Sequence, residues 1–166
     1  MLTIAYVGFG VSVREYHIPY VENREDIRVK YVFRREEDIP QFAEYEPFYP
    51  EAAFTSDLDQ VLRDQEVSLV VVSAPDRFHV PYAKRILSAG KHALVEKPFA
   101  PTAAEALEVF ALAREKGWKA LRLDVLEGNE PALRLYERAG FVYIEAKKIW
   151  YESTGLASFL LYEYAV

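Results

Sequence analysis

Residues 2–13 read LTIAYVGFGVSV. An apolar run at 2–8 ends on glycine, and helix-compatible sequence follows at 13–21, although Pro19 limits its regularity. A strand, a glycine turn and a helix in that order open a βαβ unit. Glycines at such a turn permit a tight bend and let the backbone approach a pyrophosphate. The helix N-terminus then presents N–H groups and the positive end of its dipole. The third position of the G-x-G-x-x-G pattern takes glycine or alanine, for close packing of helix on strand. Here it is Val13. The nucleotide-site reading is favoured by this context, and the alternative is a glycine turn that binds nothing.

The rest of the chain continues the alternation. Strands are expected at 27–33, 53–55, 67–72, 92–95 and 121–126, with helices at 58–62, 81–89, 102–116 and 130–139. The run VSLVVV at 67–72 suits a strand buried on both faces of a parallel sheet. Thr102 and Glu105 form a capping box. Residues 40–50 read as loop with a helical turn. Residues 141–150 and 159–164 read as an antiparallel hairpin around Ser153-Thr154-Gly155. The fold class expected is α/β, a Rossmann-like three-layer sandwich within a single domain 1–166. Its mostly parallel sheet has order 3-2-1-4-5-6 and is extended by the C-terminal hairpin.

Composition narrows the function. The chain has 166 residues, 51% of them hydrophobic, and a net charge of −6. An acidic protein lacks the basic face that nucleic acid requires. Cysteine is absent, which removes disulfides and thiolate chemistry and suits the cytoplasm. No apolar run reaches the roughly 18 residues of a membrane span, and no secretion signal precedes the first strand. His17, His79 and His92 show no metal-ligand spacing. Tyr45, Phe48 and Tyr49 either cap a core edge or form an exposed patch, so a monomer or a weak homodimer is expected.

At the end of the second strand an acidic residue would select NAD through the ribose 2′-hydroxyl. This chain has Arg34 and Arg35, which suit a 2′-phosphate and favour NADP. The alternative is a solvated pair balanced by Glu36 and Glu37.

Gly8–Gly10, APDRFH at 74–79 and AGKHALVEKP at 89–98 together resemble the Gfo/Idh/MocA oxidoreductases, over residues 1–112. Those are NAD(P)-dependent enzymes of sugars and polyols. The resemblance implies a dinucleotide along Gly8, Phe9 and Gly10, with Arg34 and Arg35 at its ribose. Ala74, Pro75 and His79 would lie toward the nicotinamide. Glu96 and Lys97 would stand at the site of hydride transfer, where Lys97 would hydrogen-bond the reacting hydroxyl. The chain has no histidine after Lys97, although the family's second domain usually supplies one. Lys97 is therefore expected as a catalytic remnant.

From residue 113 the text resembles a different family. REKGWKALRLDV at 114–125, Asn129 and LYERAGF at 135–141 are similar to the C-terminal half of GNAT acetyltransferases. That resemblance implies Asn129 near a CoA arm and Tyr136 as a general acid, again a remnant. The glycine cradle for the CoA pyrophosphate is missing: residues 96–102 hold two prolines and no glycine. The last strand would lie beside strand six, with 141–150 at the sheet edge. The resulting expectation is an engineered or recombined fold chimera without catalysis, retaining NAD(P) at most, or no cofactor at all. The alternatives are an NADP-dependent Gfo/Idh/MocA-like oxidoreductase, a weak acyl-CoA-binding acetyltransferase, and a reductase borrowing its substrate domain from a partner chain.

Overall fold

A computed structural model describes residues 1–151 and 155–166. The expected Ser153-Thr154-Gly155 turn lies, apart from Gly155, outside the described residues. The chain divides into two compact units, Met1–Leu112 and Ala113–Val166.

In the first unit five strands form one parallel sheet: β1 Leu2–Val7, β2 Ile27–Phe33, β3 Ala53–Thr55, β4 Leu69–Val72 and β5 His92–Val95. The order is β3-β2-β1-β4-β5. Strand alternation sorts the core into two layers. Ala5 and Val7 of β1 join Val70 and Val72 of β4 beneath α2 (Leu58–Arg63) and α3 (His79–Ser88). Ile4, Tyr6 and Val71 point the other way, onto Phe9, Val13 and Ile18. Two helical faces over one parallel sheet make the expected three layers.

The helix after the glycine turn is irregular. A π turn over Ser12–His17 runs into α1, Ile18–Val21, where the Ile18 N–H donates to Val13 O. Pro19 falls in the first turn of α1, where a missing N–H costs least. Val13, the departure from the glycine pattern, is fully buried in the core of that face. α2 is capped as its sequence implies, with Gln60 N donating to Asp57 Oδ1 at 3.1 Å. The Thr102 capping box opens α4, Ala103–Glu115, with Glu105 N donating to Thr102 Oγ1 at 3.2 Å.

The second unit corrects the expected sheet. β6 (Ala120–Leu126) does not extend the parallel sheet as a sixth strand. It pairs antiparallel with β8 (Gly155–Ala165), which also pairs with β7 (Val142–Tyr151), giving a separate sheet of order β6-β8-β7. The reason is visible in β6 itself. ALRLDVL alternates, with Arg122 and Asp124 exposed and Val125 buried. That pattern suits a sheet buried on one face, unlike the continuous VVV of β4. The last strand does lie beside β6 with β7 at the edge. α5, Glu130–Arg138, belongs to this unit, and Tyr162 OH donates to its Glu137 at 3.0 Å.

Candidate functional site

In an open parallel sheet the ligand crevice lies at the carboxyl ends of the strands, where the order switches direction. Here that point falls between β1 and β4, and the sequence-predicted residues of the first unit follow the carboxyl ends of β1, β2, β4 and β5. Gly8 leaves β1 at φ +104°, and a Cβ there would stand 2.5 Å from Ser73 O, just after β4. Gly8 is thus required by the protein's own backbone. Gly10 differs: a Cβ on it would meet nothing within 4 Å, so the space beside the turn is open to a ligand. Its carbonyl accepts from Arg14 N at 3.2 Å, starting the helix. Phe9 turns its ring inward, edge-on to Phe54 and Tyr49 at 5.0 and 5.6 Å, which leaves its backbone to line the turn.

Arg34 departs from its expected role. It is 5% exposed, and its Nη1 donates to Ile39 O and Gln41 O, both at 3.0 Å. Its Nη2 pairs with Glu46. Burial lowers its pKa from the usual arginine value. This guanidinium holds the β2–β3 loop in place, because a buried cation needs acceptors and the loop carbonyls and Glu46 supply them. Arg35 lies nearer the surface. It bonds Asp38 at 2.6 and 2.7 Å, pairs with Glu37 and stacks over Phe78 at 4.4 Å. The hydrogen bonds and charge of Asp38 raise its pKa.

After β4, both ring nitrogens of His79 face carbonyl oxygens, Nε2 toward Ala74 at 2.7 Å and Nδ1 toward Pro98 at 2.8 Å. Pro75 O accepts from Phe78 N at 2.8 Å and closes the same turn. After β5 come Glu96, Lys97 and Pro98, with a cis Lys97–Pro98 bond. Lys97 is exposed, and its ammonium has no partner among the described residues. Glu96 is engaged: its Oε1 lies 2.6 Å from His17 Nε2, and its Oε2 accepts from Lys97 N at 3.3 Å. Sequence reasoning missed His17. No local signal could reveal a partner 79 residues away.

Asn129 and Tyr136 lie in the second unit, in roles that need no ligand. Asn129 caps α5, its Oδ1 accepting from Ala132 N at 3.4 Å. The Tyr136 ring packs edge-on to Phe141 at 5.8 Å. The expected aromatic patch divides. Tyr49 packs on Phe9, whereas Phe48 is 71% exposed. Among the described residues no group of three His, Asp or Glu side chains is gathered that could hold a metal ion. No described helix is long and apolar enough to cross a membrane.

This fold and turn define a Rossmann domain of the nucleotide-binding class. The family model described as "Oxidoreductase family, NAD-binding Rossmann fold" matches residues 2–122, and the chain belongs to that family, Gfo/Idh/MocA. The chain is similar to the uncharacterized oxidoreductase YhhX of Escherichia coli, 52% identical over 118 residues, covering 70% of this chain and 33% of that protein. The crystal structure of yhhX superimposes with a TM-score of 0.64 over 70% of this chain and 33% of that one. The scyllo-inositol 2-dehydrogenase (NADP(+)) IolW of Bacillus subtilis is 24% identical over 178 residues, covering 98% of this chain and 48% of that protein. KijD10, a 3-ketoreductase from Actinomadura kijaniata solved with TDP-benzene and NADP, is 27% identical, with a TM-score of 0.59 over 70% of this chain and 35% of that one. The chain spans about a third of the length of the first curated relatives it matches.

These matches overturn the main functional expectation. The relatives are oxidoreductases, the family match runs past the expected boundary at 112, and one relative aligns along nearly the whole chain. They favour the oxidoreductase alternative over a fold chimera without catalysis, and they lend no support to an acetyltransferase segment. The option of no cofactor is likewise unsupported in a family built on NAD-binding.

Proposed function

We propose that the chain carries the dinucleotide site of an NADP-preferring oxidoreductase acting on a hydroxyl or ketone of a sugar or polyol. The placement of Gly10, Arg35 and Lys97 just beyond the carboxyl ends of β1, β2 and β5 carries this reading. The residues fit the cofactor, because Gly10 leaves open space beside a helix start and Lys97 extends an unpaired ammonium. The Gly8–Gly10 backbone and the N–H groups after it receive the pyrophosphate. Arg35 exchanges its exposed carboxylate partners for a 2′-phosphate, which it can grip with paired donors. When bound, the nicotinamide supplies the hydride acceptor or donor. Lys97 hydrogen-bonds the reacting oxygen and stabilises negative charge developing there. His79 and the 74–75 backbone shape the wall beside it.

The NADP named for IolW and KijD10 supports the same cofactor here. An acidic, cysteine-free chain fits a small-molecule partner in a reducing compartment rather than nucleic acid.

Calorimetric titration with NADPH and NADH tests the reading. NADPH is expected to bind more tightly, and Arg35→Gln to weaken NADPH about tenfold while leaving NADH unchanged. Equal loss for both would remove Arg35 from the 2′-phosphate. Binding of neither would overturn the proposal.

A further inference from the structure

Lys97 stands between two residues that histidines hold. On one side His17 meets the Glu96 carboxylate at 2.6 Å. Its ring is set by Tyr6, a buried residue of β1, which meets it edge-on at 5.8 Å. On the other side His79, 1% exposed, meets Pro98 O at 2.8 Å and Ala74 O at 2.7 Å. The Glu96-Lys97-Pro98 turn is thereby tied both to the helix after the glycine turn and to the loop after β4.

We propose that His17 and His79 are positioning residues for Lys97, acting as a clamp on its two neighbours. The inference rests on the reading above, in which Lys97 faces the reacting atoms. A carboxylate adjacent in sequence to an ammonium is a competitor for it. His17 occupies Glu96 Oε1, and the Lys97 N–H occupies Oε2 at 3.3 Å. With both oxygens engaged, the carboxylate is held away and the ammonium projects unpaired. The buried His79 ring fills the space between Pro98 O and Ala74 O and packs the far side of the turn. The clamp also joins the elements that receive the pyrophosphate and the nicotinamide, so the glycine turn and Lys97 share one frame.

The test uses the whole chain, with amide hydrogen exchange of residues 96–99 and acylation of Lys97 by acetic anhydride, relative to exposed Lys148. His17→Leu is expected to raise exchange at 96–99 about tenfold while leaving 27–33 unchanged. Lys97 acylation is expected to fall about threefold, as the released carboxylate pairs with the ammonium. His17→Gln keeps a donor for Glu96 and is expected to restore both signals. Should leucine at 17 prevent folding, Glu96→Leu removes the same contact from the more exposed side and carries the same exchange expectation. Signals within twofold of the parent in His17→Leu, or a glutamine variant as disturbed as the leucine one, would overturn the clamp. NADPH is expected to slow Lys97 acylation in the parent protein. Absence of that protection alongside intact clamp signals would overturn the role of Lys97 and leave the clamp standing.

Discussion

β4 has four residues and β8 has eleven, yet β4 is the better buried strand. Val70, Val71 and Val72 are almost wholly enclosed, whereas in β8 only Tyr162, at 4% exposure, is buried. Strand length therefore says little about core formation. The first unit covers both faces of its sheet with helices and loops, so Val70 and Val72 pack on one face of β4 and Val71 on the other. Among its described residues the second unit has one helix of its own, α5, with no buried residue, and leaves Val142, Tyr143 and Trp150 of β7 exposed. The two regions also differ in their polar chemistry. The first buries Arg34 and Lys91 with backbone acceptors, whereas the Arg122–Glu163 pair of the second lies at the surface.

The strongest way to test that contrast is Gly8→Ala. Its Cβ would collide with Ser73 O at a backbone angle that favours glycine, and a loss of about 4 kcal/mol is expected from urea unfolding followed by circular dichroism. Next is Arg34→Met, which strands Glu46 and two loop carbonyls. It is expected to cost about 3 kcal/mol, while Arg35→Met costs little stability and affects NADPH instead. Equal stability loss at both positions would erase the distinction drawn between them.

Acid sharpens the same comparison. The hydrogen bond from Lys30 chiefly holds the Asp64 carboxyl down to about 2 from an ordinary 3.8. A lowered folded-state pKa adds stability above the unfolded value, and that stability is lost as pH falls toward 2. The urea midpoint is expected to fall across this range, and less steeply in Asp64→Asn; parallel curves would remove Asp64 from the acid response. The smallest effect is expected at Trp150, 67% exposed in β7, where substitution by serine should change stability by less than about 0.5 kcal/mol. A larger loss by the same unfolding measurement would mean that the β7 surface is less solvated than its exposure indicates.

Much of the fold was legible because its signals are local. The Asp57 cap, the Thr102–Glu105 box, the glycine after β1 and the valine run of β4 each act within a few residues, and each falls where the sequence places it. β6 is the exception among the strands: its alternating ALRLDVL suits a sheet buried on one face, and it pairs antiparallel with β8. At the site, the glycine turn, Arg35 and Lys97 follow the carboxyl ends of β1, β2 and β5. Arg34 could not be told from Arg35 by sequence, since neighbouring residues in an extended chain point to opposite sides and only packing decides which side is interior.

By itself the sequence determined the βαβ order, the caps, the glycine turn and the motif around Lys97, because these depend on backbone preference and near-neighbour chemistry. Tertiary structure alone decided that Arg34 turns inward to hold a loop and that His17 reaches Glu96. Those outcomes depend on which distant surfaces meet, and a contact spanning 79 residues leaves no trace in local spacing.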